Sequence, residues 1–196
     1  MPTSLLDAVN TVIRATGEAP VVSILPTDEQ LPPNIAAALN LIEEVRKEMQ
    51  VRGWWFNRER DYPLQRTTDG EYTLPANTSR IDVSEGQSVR VTQRGTKLYN
   101  LDTHSFIFTE TDLKVDLVLE LPWDDLPEVA RQYIAIVAAR RFQARYLSSP
   151  NLDGFTQVDE MRALVNLQNA EAEEGNHSIF NHWSAYRALD RTPWYH

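Results

Sequence analysis

The residues that could carry out catalysis or bind a metal are few in this sequence, and their spacing is poor. His177 and His182 lie five positions apart without a glutamate between them, unlike the HExxH zinc motif. The adjacent carboxylates Asp124 and Asp125 could act as an acid–base pair, but they directly precede a predicted helix, where capping explains them. We therefore predict no catalytic residue, no metal site and no cofactor.

Sequence motifs for nucleophilic or phosphate chemistry are also missing. The sequence contains no GxSxG, no P-loop and no GxGxxG, and its seven glycines form no phosphate-binding cluster. Cysteine is absent, which excludes a thiolate nucleophile, a disulfide framework and a cysteine-based metal site. Glycosidase chemistry needs two carboxylates across a cleft, and the sequence gives no reason to choose such a pair among its acidic residues.

Length and charge limit the class of protein further. The 196 residues predict one domain that can bury a core without disulfides. The formal net charge of −9 disfavours general binding of nucleic acid, because neutralising phosphate supplies most of that affinity. No apolar run approaches the roughly 20 residues that span a bilayer, and the N-terminus lacks the pattern of a signal peptide. We expect a soluble protein made in the cytosol, with no membrane partner.

The stretch 126–147 predicts the central helix of a bundle. Asp125 is the expected N-cap, and Pro127 and Glu128 suit the first turn. A helix that is apolar on every side must be surrounded by protein, and the first half of this one is: Val129, Ala130, Tyr133, Ile134, Ala135, Ile136, Val137, Ala138 and Ala139. Its second half carries three arginines, which are either a solvated helix end or a contact with an acidic face of a neighbouring subunit: Arg140, Arg141 and Arg145.

Three further helices follow from apolar periodicity and capping residues. The first is predicted over Ser4–Thr16, capped by Ser4 and stopped by Gly17, and the second over Pro33–Arg52, stopped by Gly53. The last is predicted over Gly154–Glu174, with a buried stripe of Val158, Met161, Leu164, Val165 and Leu167.

The region between the second and third helices predicts strands, because short extended runs alternate with turn dipeptides. Leu113–Leu121 alternates apolar and polar residues, with Val118 as the exception, which is typical of a half-buried antiparallel strand. The other predicted strands are Ser79–Val83, Ser88–Thr92, Lys97–Leu101 and Ser105–Phe108. The predicted fold is α+β: a helical bundle of about four helices (1–53 and 126–175), an inserted antiparallel β-subdomain (54–125) and an extended C-terminal docking tail (176–196).

Two aromatic groups are candidates for contacts. Consecutive strand residues point to opposite faces, so either two of Trp54, Trp55 and Phe56 pack inside and one covers an edge, which we favour, or they anchor an interface, because Trp is enriched at hot spots. The tail is too aromatic to remain free in water, so it should dock on its own domain or on a partner. Its large aromatic side chains are Phe180, Trp183, Tyr186, Trp194 and Tyr195.

Three segments in order resemble the tail tubular protein A family, the head-to-tail adaptors of short-tailed podovirus phages. LLDAVNTVIRATGEAPV resembles the first helix and G-E-x-P turn of that family. MQVRGWWFN resembles its R-G-W-x-F-N signature through Arg52, Gly53, Trp54, Phe56 and Asn57. LPEVARQYIAIVAARRFQARYLSSPNLDG resembles its third helix and the following break, through Pro127, Glu128, Arg141, Phe142, Arg145, Tyr146 and Pro150. The chain departs from the family in a shorter, proline-rich loop before the second helix and a longer, more aromatic tail.

The resemblance implies a structural virion protein without catalysis, assembled in the host bacterial cytoplasm into the virion tail. Members form a ring, a dodecamer, between the portal protein and the tail nozzle (tail tubular protein B). The ring offers docking sites for a tail fibre and encloses a channel through which DNA leaves without specific binding. The helical part and C-terminal tail would face the portal, and the β-region the nozzle. The five aromatic tail residues, and secondarily the arginine cluster, would carry portal and subunit contacts.

Two other classes of protein stay open at this point. One is a tail-associated glycan or peptidoglycan hydrolase, because phage tail proteins sometimes combine structural and degrading roles. The other is a regulatory or chaperone-like binding module of the cytosol, which would form no ring.

Overall fold

A computed structural model describes residues 2–24, 31–84, 88–146 and 150–174. This part of the chain is α+β, as predicted, with antiparallel strands between two pairs of helices. The predicted tail lies outside the described residues. The elements in chain order are α1 (Leu5–Arg14), α2 (Pro33–Gln50), β1 (Arg58–Pro63), β2 (Thr78–Val83), β3 (Val91–Arg94), β4 (Lys97–Asn100), β5 (Lys114–Leu119), α3 (Glu128–Tyr146) and α4 (Pro150–Glu174).

Helix α3 is the centre of the bundle, as its apolar sequence predicts. Helices α1, α2 and α4 all pack on it. Ala130, Ile134, Val137 and Ala138 are almost fully buried there. They share one hydrophobic core with apolar residues of the three surrounding helices.

The start of α3 differs from the prediction, and Asp125 is not its N-cap. The first helical hydrogen bonds run from the N–H groups of Ala130 and Arg131 to the carbonyl of Pro127. Leu126 is extended, because a residue before proline is disfavoured in helical conformation. Asp125 therefore ends a separate 3-10 turn, Trp123–Asp125.

The capping predicted at Ser4 is confirmed. Its hydroxyl accepts from the backbone N–H of Asp7, and the Asp7 carboxylate accepts from the N–H of Ser4. Helix α1 ends at Arg14, two residues earlier than predicted, and α2 ends at Gln50 rather than Arg52.

The strands form a three-stranded antiparallel sheet in the order β1-β5-β2 and a separate β3–β4 hairpin. A second hydrophobic core lies under them, with Tyr72, Leu98, Phe108 and Leu117 among its most buried members. The predicted strand at Ser105–Phe108 is wrong, because only an isolated bridge joins Ser105 to Asn100. Strand β1 was missed, and β3 begins three residues later than predicted.

Helix α4 begins at Pro150 rather than Gly154, and its inward face was partly mispredicted. Leu167 is fully buried and Leu164 packs against the bundle core. Val158, Met161 and Val165 are instead exposed, Met161 by 68%. Among the residues of α4 from 157 onward, Ala163 and Leu167 are buried against the bundle, which leaves the other apolar stripe outside.

All three consecutive aromatics pack on the bundle core of their own subunit, one more than the interpretation that we favoured, and an interface role for them stays a prediction. Trp54 is buried, and Trp55 and Phe56 are half-buried against the bundle core. The Trp55 and Phe56 rings meet edge to face at 4.9 Å. Among the described helices, none is long and apolar enough to cross a membrane.

Candidate assembly surfaces

The tightest constellation of polar groups lies where α2 passes into the sheet. Asn57 is buried, and its side-chain amide donates to the carbonyls of Gln50 (3.0 Å) and Leu119 (2.8 Å). Its amide oxygen accepts from the N–H of Trp54 at 2.8 Å. The indole N–H of Trp54 in turn donates to the carbonyl of Met49 at 2.9 Å. These bonds bind the end of α2 to the end of β5.

Gln50 and Arg46 extend this junction to the chain that leaves β5. The fully buried Gln50 side chain donates to the carbonyl of Leu121 (3.0 Å) and accepts from its N–H (2.8 Å). Arg46 also donates to that carbonyl and forms ion pairs with Glu43 and Glu120, each at 2.6 Å. Hydrogen bonding to Glu43 raises the pKa of the Arg46 guanidinium above its usual value. The network therefore holds the start and the end of the β-region against one turn of α2.

Apart from Asn57, which belongs to the family signature, the polar members of this junction and a second buried arginine were not predicted from the sequence. Arg131 donates to the carbonyls of Leu126 (2.9 Å), Asp124 (2.6 Å) and Thr3 (3.1 Å), and so fixes the turn before α3. The burial of Arg46 could have been predicted from the sequence, because Arg46 lies next to Val45 on the buried stripe of α2. A charged residue on such a stripe is buried only when it is paired.

The predicted arginine cluster lies at the C-terminal half of α3 and pairs with glutamates of its own subunit. Arg141 binds Glu48 of α2 with both terminal nitrogens, at 2.6 and 3.0 Å. Arg145 lies 3.6 Å from Glu44 of α2, and Arg140 pairs with Glu160 of α4. The Arg141 guanidinium holds the pKa of the Glu48 carboxyl below its usual range.

These pairs connect α2, α3 and α4 across the bundle surface. Arg145 is more than half exposed and Arg141 is partly exposed, so the row stays accessible to another molecule. Whether it contacts a neighbouring subunit stays a prediction.

The other predicted contact residues lie outside the described part of the chain: Phe180, Trp183, Tyr186, Trp194 and Tyr195. A groove of about 400 Å³ does occur among the described residues, between α1 and α4. Its lining includes Ala15, Ile136 and Ala163, with Asp159 and Arg162 at its polar side.

No group of three or more His, Cys, Asp or Glu side chains in the described ranges could hold a metal ion. The carboxyl groups with a clearly shifted pKa in those ranges all have it lowered: Asp7, Glu43, Glu48, Asp102 and Glu128. A glycosidase general acid needs a raised pKa, which is the opposite of these five shifts.

In the described part of the chain, buried polar networks join the two hydrophobic cores, and ion pairs connect the helices. A family model described as tail tubular protein matches residues 6–177, and the chain therefore belongs to the tail tubular protein family. It is also similar to the tail tubular protein A of Klebsiella phage KP34, with 30% identity over 131 residues.

The match to the Klebsiella phage protein spans 66% of this chain and 66% of that relative, just under two thirds of its length. Membership of the family confirms the resemblance found in the sequence. It makes the protein a structural component of a phage tail.

Proposed function

We propose that this protein is the head-to-tail adaptor of its phage, forming a ring that joins the portal to the tail nozzle and encloses part of the DNA ejection channel. The observation that carries the proposal is the family match over residues 6–177, which covers both the bundle and the β-region. The ring would be a dodecamer, and a tail fibre would dock on its outside.

The two cores support such a role physically. A helical bundle tied by the pairs of Arg140, Arg141 and Arg145 gives a stiff wall. The β-region adds a second surface of different chemistry, supported by its own hydrophobic core. In the proposed ring, the bundle faces the portal and the β-region faces the nozzle.

The net charge supports a channel through which DNA passes without being held. A chain with a net charge of −9 offers little general attraction to phosphates. Carboxylates that line the channel would repel DNA, and replacing them with lysine would slow ejection.

The aromatic tail supplies the portal contact in this proposal. Trp and Tyr give large contact areas at low entropic cost, and central aromatic residues of an interface are worth on the order of 2 kcal/mol each. The tail residues assigned to this contact are Phe180, Trp183, Tyr186, Trp194 and Tyr195.

The test is co-sedimentation of the full-length protein with the portal ring of the same phage, followed by negative-stain imaging. A chain that ends at Gly175 is the matched variant. We expect a ring on the portal with the full chain and loss of attachment with the shortened one. If both chains form a ring on the portal, the bundle rather than the tail supplies the binding energy. If neither chain forms a ring, the adaptor assignment is overturned.

A further inference from the structure

The sheet face next to Gly53 carries two cationic side chains in one row. Arg58 of β1 and Arg80 of β2 both lie opposite Val118 of the central strand β5. Directly opposite residues of neighbouring strands project from the same face. Val118 is buried, whereas both arginines are exposed, so their guanidinium groups lie at the surface on either side of a buried valine.

The two guanidinium groups converge over Gly53. A Cβ atom on that glycine would lie 3.2 Å from Nη2 of Arg80 and 3.3 Å from Nη2 of Arg58. Two positive charges that approach the same point repel each other. A carboxylate between them would remove that repulsion and accept charge-assisted hydrogen bonds from both.

The carboxylates on the same face include Asp82, which lies two residues from Arg80 and whose side chain accepts from the N–H of Val83 (2.9 Å), and two others that are engaged elsewhere. Asp116, two residues from Val118, accepts from the N–H of Asp61 (3.1 Å) and the hydroxyl of Ser84 (3.0 Å). Glu120, two residues in the other direction, pairs with Arg46. Among the residues that the structure describes, neither Arg58 nor Arg80 forms an ion pair.

We infer that Arg58 and Arg80 form a carboxylate-binding site, which receives the acidic C-terminal end of α4 from a second copy of this chain. This inference rests on the proposed ring, because the two surfaces differ and their contact is head-to-tail. Such a head-to-tail contact is heterologous. It generates a closed ring when the rotation that relates one copy to the next brings the last copy back to the first.

Charge complementarity identifies the end of α4 as the occupant. Glu173 and Glu174 are exposed in its last turn, which contains no basic residue. The C-terminus of a helix already carries partial negative charge, so carboxylates there gain most from an external cation. The net charge of −9 disfavours the alternative occupant, a nucleic-acid phosphate.

The test uses charge reversal and rescue in the full-length chain with its own portal. R58E/R80E, E173R/E174R and the combined variant are compared with the wild type, and the combined variant keeps the wild-type net charge. The measured quantity is the concentration for half-maximal assembly on the portal, with copies counted by native mass spectrometry. R14E/R60E is the matched control, because it reverses two other exposed arginines.

We expect each reversal alone to raise the half-maximal concentration about tenfold or more, because it creates like-charge repulsion at the contact. The combined variant and R14E/R60E should assemble at close to the wild-type concentration. If the circular dichroism of R58E/R80E shows a folding defect, R58Q/R80Q is used in its place, because it removes the charges without reversing them.

Normal assembly of R58E/R80E would overturn the site while leaving the adaptor intact. A combined variant weaker than either reversal would show that the two surfaces do not meet, and would overturn the choice of α4. A wild type that fails to assemble on the portal would instead overturn the adaptor proposal itself. A fourth outcome concerns DNA. If the wild type binds a short DNA duplex in a salt-sensitive manner and R58E/R80E does not, the site binds phosphate, and the assignment of a carboxylate as its occupant is overturned.

Discussion

Gly53 lies in close contact with the central strand of the sheet, directly after the end of α2. Its φ of +78° lies in the left-handed region, and its Cα faces the side chain of Val118. A Cβ at this position would lie 2.8 Å from Cγ2 of Val118, a contact that real Cβ atoms do not make. Glycine is therefore required both for the turn and for the close approach of the sheet.

G53A should destabilise the protein more than G17A. Gly17 has a similar φ of +82° but open space around it, so alanine there costs only the left-handed conformation, about 1–2 kcal/mol. At Gly53 the forced displacement of Val118 adds about 1–3 kcal/mol. Urea unfolding of the two variants measures the difference, and equal destabilisation would show that the sheet can move away from the turn.

The element whose orientation the sequence did not determine is α4. It carries two stripes with helical spacing, one ending in Leu167 and one formed by Val158, Met161 and Val165. Only the first faces the bundle. Which of the two stripes faces the bundle depends on the residues of α3 that lie opposite α4. One of these is Arg140, which pairs with Glu160.

L167A should cost about 2–4 kcal/mol of unfolding free energy, because it leaves a cavity in the bundle core. M161A removes a similar number of carbon atoms from an exposed position and should change stability by less than about 0.5 kcal/mol. Thermal and urea denaturation of both variants provide the measurement. A larger effect of M161A in the isolated chain would contradict the orientation of α4.

The ion pair between α2 and α3 gives stability that depends on pH. Hydrogen bonding to Arg141 lowers the pKa of folded Glu48 below its usual range. A lowered folded pKa contributes stability above the unfolded pKa, and that stability is lost as the pH falls through the folded pKa. The Glu48 side chain is 60% exposed, so solvent screening limits the contribution to less than about 1 kcal/mol.

E48Q should therefore be less stable than the wild type at pH 7 and equal to it at acidic pH, below the folded pKa of Glu48. Urea unfolding at a series of pH values measures the difference. E173Q is the control, because Glu173 is exposed and forms no ion pair with a described residue. A difference between E48Q and the wild type that persists at low pH would show that the glutamate acts through packing instead.

Periodicity predicted α1, α2, α3 and β5, because each buries one clear apolar stripe or face. Strand β1 could not be found this way, since all six of its residues are exposed at the edge of the sheet. Its sequence, RERDYP, contains none of the alternation that marks a half-buried strand. The hydrogen bonds of the junction residues Gln50 and Asn57 could not be predicted for a related reason: their partners are backbone groups distant in sequence, such as those of Leu119 and Leu121.

At the scale of the whole molecule, two hydrophobic cores meet at one polar junction. Trp54 and Trp123 belong to the bundle core, although the sequence assigned them to the inserted part. The domain boundaries at 53/54 and 125/126 therefore stay a prediction. A substitution in the junction can test whether the bundle and the β-region unfold separately.

Q50A should loosen the β-region without unfolding the bundle. It removes both side-chain bonds to Leu121 and leaves the partly buried N–H of Leu121 without this acceptor, at a cost of about 1–3 kcal/mol. Hydrogen exchange should become faster for amides of β5 and stay unchanged for those at the centre of α3. Equal acceleration in both places would mean that the two cores unfold as one unit.

The contact between Thr3 and Glu128 has a consequence for biosynthesis. The Glu128 carboxylate accepts from the backbone N–H of Thr3 at 2.7 Å, across 125 positions of sequence. At a ribosomal rate of about 5–20 residues per second, α1 waits roughly 6–25 s for the helix it packs on. During that time its apolar face, which includes Val9 and Ile13, lacks the cover that α3 provides in the folded chain, so α1 cannot complete its native packing until α3 leaves the ribosome.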